Sequence, residues 1–489
     1  MDFRVLPLIV AACGCAAAFA AASATPSPPV AHQEAKVEFD GYDHFIVKYK
    51  AASSQRTDSR ALQRHLQQVG SRRKKNGRAL ALGRLRRMAL GADLIVSDRK
   101  LDRAEADSLM KQIAADPNVE YAEVDGVMYP AMTPNDPHAK AQWHFSGPYG
   151  ARVDQAWDVS TGAGVVVAVV DTGITDHPDL SQNVLPGYDF ISDATKARDG
   201  NGRDNNPRDE GSACGDGSSS WHGTHVAGIV AAVTNNAIGV AGVAPNAKIV
   251  PVRVLGRCGG ATSDIADAIV WAAGGDVSGV PSNPYPADVI NLSLGGWKPV
   301  LTPLECAATL QASIDAAVAL GSVVVAAAGN SGEDVIEYEP ASCRNVITVA
   351  ATDQTGQRSE WSDVSSSNYG TEVDVAAPGS NVYSTCNQGL QTPSTDTWYC
   401  YMGGTSMAAP HVSGVVALMQ AAAERPLRQY DAEQIIRSTA RPFPVSPTVP
   451  IGAGLLDSRA AVDSAKTYWA TAARRASIIP LLYLTLDPP

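Results

Sequence analysis

Five short apolar runs limit what this chain can fold into more than any other feature. They are Val165–Val170, Ile249–Val254, Val289–Leu294, Val323–Ala328 and Val346–Ala351, each rich in β-branched residues and bounded by Gly or Asp. None alternates apolar with polar, so each reads as a strand buried on both faces. Helix-like stretches separate most of them, among them Val226–Val233, Ser263–Ala273 and Ala307–Ala319. Apolar strands alternating with helices predict an α/β fold, a three-layer α/β/α sandwich around a mostly parallel sheet. Functional residues in such sheets gather at the carboxyl ends of the strands. Asp171 and Asn330 each follow one of these runs.

The chain before these runs has a different character. Arg4 precedes an Ala-rich apolar stretch to Ala22, and Ala22-Ser23-Ala24 has the small-x-small form of a signal-peptidase site. Residues 1–24 are therefore expected to be a signal peptide and the protein to be secreted. Val10-Ala11-Ala12-Cys13 allows a second reading, a lipobox that would leave a lipid anchor at Cys13 and a membrane-attached protein. No other run approaches the about 20 apolar residues that a spanning helix needs.

Residues 25–131 then read as a small α+β unit. Tyr42–Tyr49 alternates like a strand, a charged segment centred on Arg72–Lys75 reads as a solvated loop or helix face, and a short strand (Ala92–Val96), a helix (Arg103–Ala115) and a last strand (Val119–Val127) follow. Residues 132–467 hold the α/β domain, and 468–489 form a tail without a motif.

Net charge is −11, which excludes nucleic acid as the main partner. The balance is uneven: residues 25–130 hold 18 Lys/Arg against 14 Asp/Glu, and residues from 131 hold 20 against 35. Opposite signs suit docking of the first part on the second. Six cysteines lie beyond residue 131: Cys214, Cys258, Cys306, Cys343, Cys386 and Cys400. They lack the close spacing of metal ligands, and an even number in an exported chain reads as disulfides. Pairing of sequence neighbours (214–258, 306–343, 386–400) is expected.

Three segments carry chemistry. Val167–Gly173 places Asp171 at the end of a buried strand, His222–Gly228 starts a helix on a histidine, and Gly403–Val412 puts Ser406 on a Gly-tight turn entering another helix. A serine hydroxyl becomes a nucleophile when a base takes its proton and a carboxylate holds that base. Singly, Asp171 reads as a turn residue, His222 as a loop histidine and Ser406 as an N-cap. Together, in the order Asp, His, Ser, they resemble the subtilisin-like serine proteases, and the resemblance covers roughly 133–462. It includes Asn291–Gly296 and Ala326–Asn330 in the same order.

The resemblance implies that Asp171 orients the base, His222 is the general base and acid, Ser406 attacks, and Asn330 donates to the oxyanion. It implies two strand edges for an extended protein or peptide substrate, Leu255-Gly256 and Ser293-Leu294-Gly295, with Ala327, Ala328 and Gly329 walling the pocket before the cut. His225 and His411 match positions without direct chemistry.

It also implies that the N-terminal unit is a ferredoxin-like inhibitory prodomain, most clearly through Asp116–Asp125, removed by self-cleavage expected after Ala131. A monomer is expected. The rival functions are a catalytically silent binding module on this fold and an exported esterase, although the G-x-S-x-G elbow of such esterases is missing.

Structural calcium is expected at two places. Asp199, Asn201, Arg203, Asp204 and Asp209 lie in a Gly-rich loop whose oxygens suit Ca²⁺. The second site follows from the resemblance: Asp136, Asp179, Asn236 and carbonyls of Thr234, Ile238 and Val240. Finally, Glu333, Asp334, Glu337 and Glu339 follow the oxyanion asparagine, so a preference for basic side chains is expected if that loop faces the pocket.

Overall fold

The computed structural model describes residues 41–469 apart from 76, 126–132, 216, 299–305 and 397. The expected signal peptide, lipobox and processing site lie outside the described residues, as does 470–489. The chain divides into two compact units, at Met128/Tyr129. Among the described residues no helix is long and apolar enough to cross a membrane.

The first unit runs β1 (Tyr42–Tyr49), α1 (Ser59–Ser71), β2 (Leu82–Arg87), β3 (Asp93–Leu101), α2 (Arg103–Ala114) and β4 (Val119–Val124). Its antiparallel sheet has the order β2-β3-β1-β4. That is the β-α-β-β-α-β ferredoxin-like arrangement. The sequence reading passed over α1 and β2 because both lie in charged sequence. The apolar content of α1 is confined to one face, where Leu62, Leu66 and Val69 recur at helical spacing and are buried. Asp58 caps its start by accepting from Arg60 N at 2.8 Å. The core they join holds Phe45, Val47, Ile95, Leu109 and Ile113.

In the second unit the sheet is built from β5 (Val166–Asp171), β6 (Tyr188–Asp189), β7 (Lys248–Arg253), β8 (Val289–Leu292), β9 (Val323–Ala327), β10 (Ile347–Thr352) and β11 (Val375–Pro378). Their order is β11-β10-β9-β8-β5-β7-β6, and every pairing is parallel.

Its longer helices include α3 (His222–Ala231), α4 (Thr262–Ala272), α5 (Ala308–Ala319), α6 (Thr405–Ala422) and α7 (Gln429–Thr439). Successive strand residues point to opposite faces. Accordingly Val167 and Val169 pack with Val226 and Ile229 of α3 and Val412 and Val415 of α6. Ala168 and Val170 pack instead with Ile269 of α4 and Ile314 of α5. This is the three-layer sandwich, and it explains why the strands do not alternate. Each fully buried valine contributes roughly 1.5–3 kcal/mol, so a polar residue at Val167 or Val170 has no tolerant face.

The disulfides are Cys214–Cys258, Cys306–Cys343 and Cys386–Cys400, the pairing of sequence neighbours. The C-terminal boundary expected at 467 cuts a helix that runs over 458–469. Tyr468 donates from its hydroxyl to Asp431 at 2.8 Å, and Trp469 from its indole to Arg425 O at 3.0 Å.

Candidate active site

The parallel sheet delivers Asp171, the last residue of β5, to the carboxyl edge, where it is wholly buried. Its Oδ1 accepts from Thr172 N at 2.7 Å. His222 opens α3, after Trp221 in the left-handed region (φ 53°). Its Nδ1 lies 2.8 and 3.0 Å from the two oxygens of Asp171. A carboxylate only accepts, so Nδ1 carries the proton and Nε2 is the free base. About a fifth of the His222 side chain is exposed, and none of Asp171. Burial disfavours the imidazolium, but the Asp171 charge and hydrogen bond outweigh it and raise the His222 pKa.

Ser406 is held by an exchange with Ser293. Pro410 lies inside α6 and has no N–H to give to the carbonyl four residues earlier, that of Ser406. Ser293 Oγ donates to that carbonyl at 2.8 Å, and Ser406 Oγ donates to Ser293 O at 3.2 Å. Behind Ser293, Asn291 Nδ2 donates to its Oγ at 2.9 Å and Ser413 Oγ donates to Asn291 Oδ1 at 2.8 Å. Asn330 is anchored by its oxygen, which accepts from Thr405 N at 2.8 Å and Thr405 Oγ1 at 2.9 Å.

One cleft of about 1000 Å³ is lined by His222, Ser406, Asn330, Leu255, Gly256, Ser293, Leu294, Gly295, Ala327 and Gly329. Ala328 is buried beneath it, in the cluster around Val335 and Tyr338. Of the four acidic residues after Asn330, Glu339 lines the cleft, and its Oε1 accepts from Ala307 N at 2.5 Å. Asp334 caps Ile336 N instead. His225 and His411 are fully buried and outside the cleft.

The loop at 199–209, where calcium is expected, is held in the structure by contacts of its own side chains. Among the described residues no group of three or more His, Cys, Asp or Glu is placed to hold a metal ion. Asp199 accepts from Asn201 N and pairs with Arg253, and Asp204 accepts from Asn206 N and Asn201 Nδ2. Arg203 is bound to Asp264 and Asp267, both at 2.7 Å. Asp209 is buried against Thr172, behind the triad. Arg203 is thus spent on two carboxylates of α4, and the guanidinium that meets Asp199 is that of Arg253, at the end of β7.

Asp136, Asp179 and Asn236 do come together. Asp136 accepts from the N–H groups of Asn235 and Asn236, and Asp179 from Asn236 Nδ2 and Val240 N. Burial raises both carboxyl pKa values, that of Asp179 to about 6, to which the Asp136 charge adds. Two buried carboxylates held by neutral donors, beside amide and carbonyl oxygens, fit a hard divalent cation.

Two roles escaped the sequence reading. Thr405 and Ser293, which orient Asn330 and Ser406, sit inside the motifs but are visible as anchors only in three dimensions. Thr172 and Asp209 are far apart in sequence and meet behind the triad.

Comparison with known proteins gives a consistent result. The model of the Subtilase family matches residues 162–467. An "Extracellular protease" of Xanthomonas campestris pv. campestris is 51% identical over 435 residues, covering 87% of this chain and 73% of that protein. Thermitase of Thermoactinomyces vulgaris is 42% identical over 289 residues, 59% of this chain and 85% of that protein. A solved protease structure from Pseudoalteromonas arctica superposes with a TM-score of 0.64 at 50% identity, covering 68% of this chain and all of that one.

Proposed function

The chain belongs to the subtilase family of serine proteases, and on that premise we propose that it is a secreted endopeptidase that matures by cutting its own precursor and works through an acyl-enzyme on Ser406. The observation that carries this reading is the two-oxygen contact of buried Asp171 with His222, at the wall of a cleft that also holds Ser406 and Asn330.

In this reading an extended substrate lies between Leu255-Gly256 and Ser293–Gly295 as an added strand. Ser406 Oγ attacks the scissile carbonyl while Nε2 of His222 takes its proton, and the imidazolium formed is stabilised by Asp171. Charge develops on the carbonyl oxygen, where the Nδ2 group of Asn330 and the Ser406 N–H donate. His222 then returns the proton to the leaving amine, and water repeats the sequence to free the enzyme.

Secretion is supported by the signal-like segment at 1–24 and by a relative named as extracellular. The ferredoxin-like unit serves as inhibitor until cleavage, for which the bond after Ala131 is the proposed site. Calcium would be held by Asp136, Asp179, Asn236 and the carbonyls of Thr234, Ile238 and Val240. It would supply the positive charge this buried pair lacks and tie Asp136 to the 234–240 loop.

The test is expression of wild type and Ser406→Ala in a protease-free host, followed by intact mass. Wild type should appear shortened by the prodomain and Ser406→Ala as the unprocessed precursor. Normal maturation of Ser406→Ala would refute self-processing.

A further inference from the structure

Behind the triad lies a second carboxylate with no part in the chemistry above. Asp209 is wholly buried. Its Oδ2 accepts from Thr172 Oγ1 at 2.6 Å and its Oδ1 from Gly211 N at 2.9 Å. Its own N–H donates to Ile174 O at 3.0 Å, so its backbone is tied to the chain just after Asp171. Thr172 Oγ1 in turn accepts from Gly223 N at 3.0 Å. A threonine hydroxyl has one proton; given to Asp209, it leaves the lone pairs to face Gly223. Gly223 directly follows His222 in the first turn of α3, whose N–H groups have no partner within the helix. Thr172 also donates its backbone N–H to Asp171 Oδ1. One residue therefore touches the acid of the triad and the helix start that carries the base, and Asp209 decides which way its hydroxyl points.

We propose that Asp209 is a positioning residue of the triad, holding His222 against Asp171 through the Thr172 hydroxyl. The inference rests on the triad reading given above. Space around Gly223 supports it: a Cβ there would come within 2.2 Å of Gly173 O and 3.2 Å of the Asp171 side chain. This helix start is thus packed directly on the acid's turn, and a lost hydrogen bond there is transmitted to the ring.

The charge matters as well as the bond. The groups whose charges bear on His222 are Asp171 and Asp209, and both favour its protonated form. Those acting on Asp209 are Asp171 and Arg253, with opposite effects. His225, on the same helix, is held neutral by burial.

The test uses mature enzyme carrying Asp209→Asn, Thr172→Val or Thr172→Ser, with precursors processed in trans by wild type. Active sites are counted with a fluorophosphonate probe, and kcat, KM and the acidic limb of kcat/KM are measured on an extended peptide. A small misplacement of a catalytic group costs up to roughly 100-fold. Asp209→Asn should therefore lose roughly 10–100-fold in kcat with KM little changed. Its acidic limb should move to lower pH, because a negative charge near His222 is gone.

Thr172→Val should lose kcat to a similar degree without that movement, and Thr172→Ser, which keeps the hydroxyl, should stay near wild type. The inference is overturned if Asp209→Asn and Thr172→Val both keep kcat within about twofold of wild type. A Thr172→Ser loss as large as that of Thr172→Val would overturn it too. Should Asp209→Asn fail to fold, the Thr172 pair decides. Failure of the probe to label Ser406 in wild type is a different result and strikes the triad reading instead.

Discussion

Asn330 shows how a single side chain is prepared for one task. Both Thr405 donors bind its Oδ1, so the Nδ2 group is the end left to donate, in a cleft shared with Ser406. A donor fixed before the reaction needs no reorganisation when the oxyanion forms. Asn330→Ala should therefore lower kcat far more than it changes KM. Removal of the corresponding donor from a subtilisin costs ~10²–10³-fold, a magnitude adopted from that enzyme. A variant that loses KM but keeps kcat would show that Asn330 binds substrate and not the transition state.

Glu339 yields a second expectation at this scale. Because it lines the cleft while Asp334 is used as a cap, Glu339→Gln should reduce cleavage after Lys and Arg relative to Leu in a peptide library. An unchanged ratio would place the acidic stretch outside recognition.

At the scale of elements, α6 combines two departures from an ordinary helix. Pro410 frees the Ser406 carbonyl for Ser293, and the next residue, His411, forms a buried polar chain. His411 Nδ1 donates to Met407 O at 2.7 Å, so its Nε2 must accept, and His144 Nδ1 donates to it at 2.7 Å. The arrangement requires a neutral His411, and burial keeps His144 neutral as well. Burial lowers the pKa of His411 to about 4 and that of His144 well below the usual range.

The unfolded chain binds these protons near pH 6.5 and the folded one does not. The stability that the pair contributes is therefore present above about pH 6.5 and is lost as pH falls toward 4. His411→Asn keeps a donor for Met407 O and removes one of the two titrations. Melting temperatures measured from pH 7 to 4 should fall less steeply in that variant than in wild type; equal slopes would refute the account.

These elements also show which features sequence can display. Five of the seven strands of the sheet were legible because each is buried on both faces and cannot alternate, whereas β6, of two residues, and β11, of four, are too short to show as runs. The helix α1 was not, because four buried residues in thirteen leave a mostly polar sequence whose pattern emerges only against a core. The Asp171, His222 and Ser406 segments were legible as motifs. The contacts of Asp209 were not legible, because an acidic, Gly-rich loop has the same composition whether it wraps an ion or turns its carboxylates to its own N–H groups and to Arg253.

For the molecule as a whole, calcium is a question of where charge is left uncompensated. A ligand that binds only the folded state stabilises it by about 2.7 kcal/mol at 100 times its Kd. Chelation should shorten the thermal inactivation half-life while activity at moderate temperature changes little. Asp179→Asn should weaken that response, and Asn201→Ala, in the loop whose Asp199 meets Arg253, should leave it as in wild type. A metal-free sample with an unchanged half-life would remove calcium from the description.

The central claim, that Asp171, His222 and Ser406 act as one catalytic unit, is tested most directly by covalent labelling. Mature enzyme treated with a fluorophosphonate and mapped by peptide mass should carry one adduct, on Ser406. The adduct should vanish in Ser406→Ala and fall sharply in His222→Ala, in step with casein hydrolysis. An adduct on another serine, or casein hydrolysis that survives Ser406→Ala, would contradict the account.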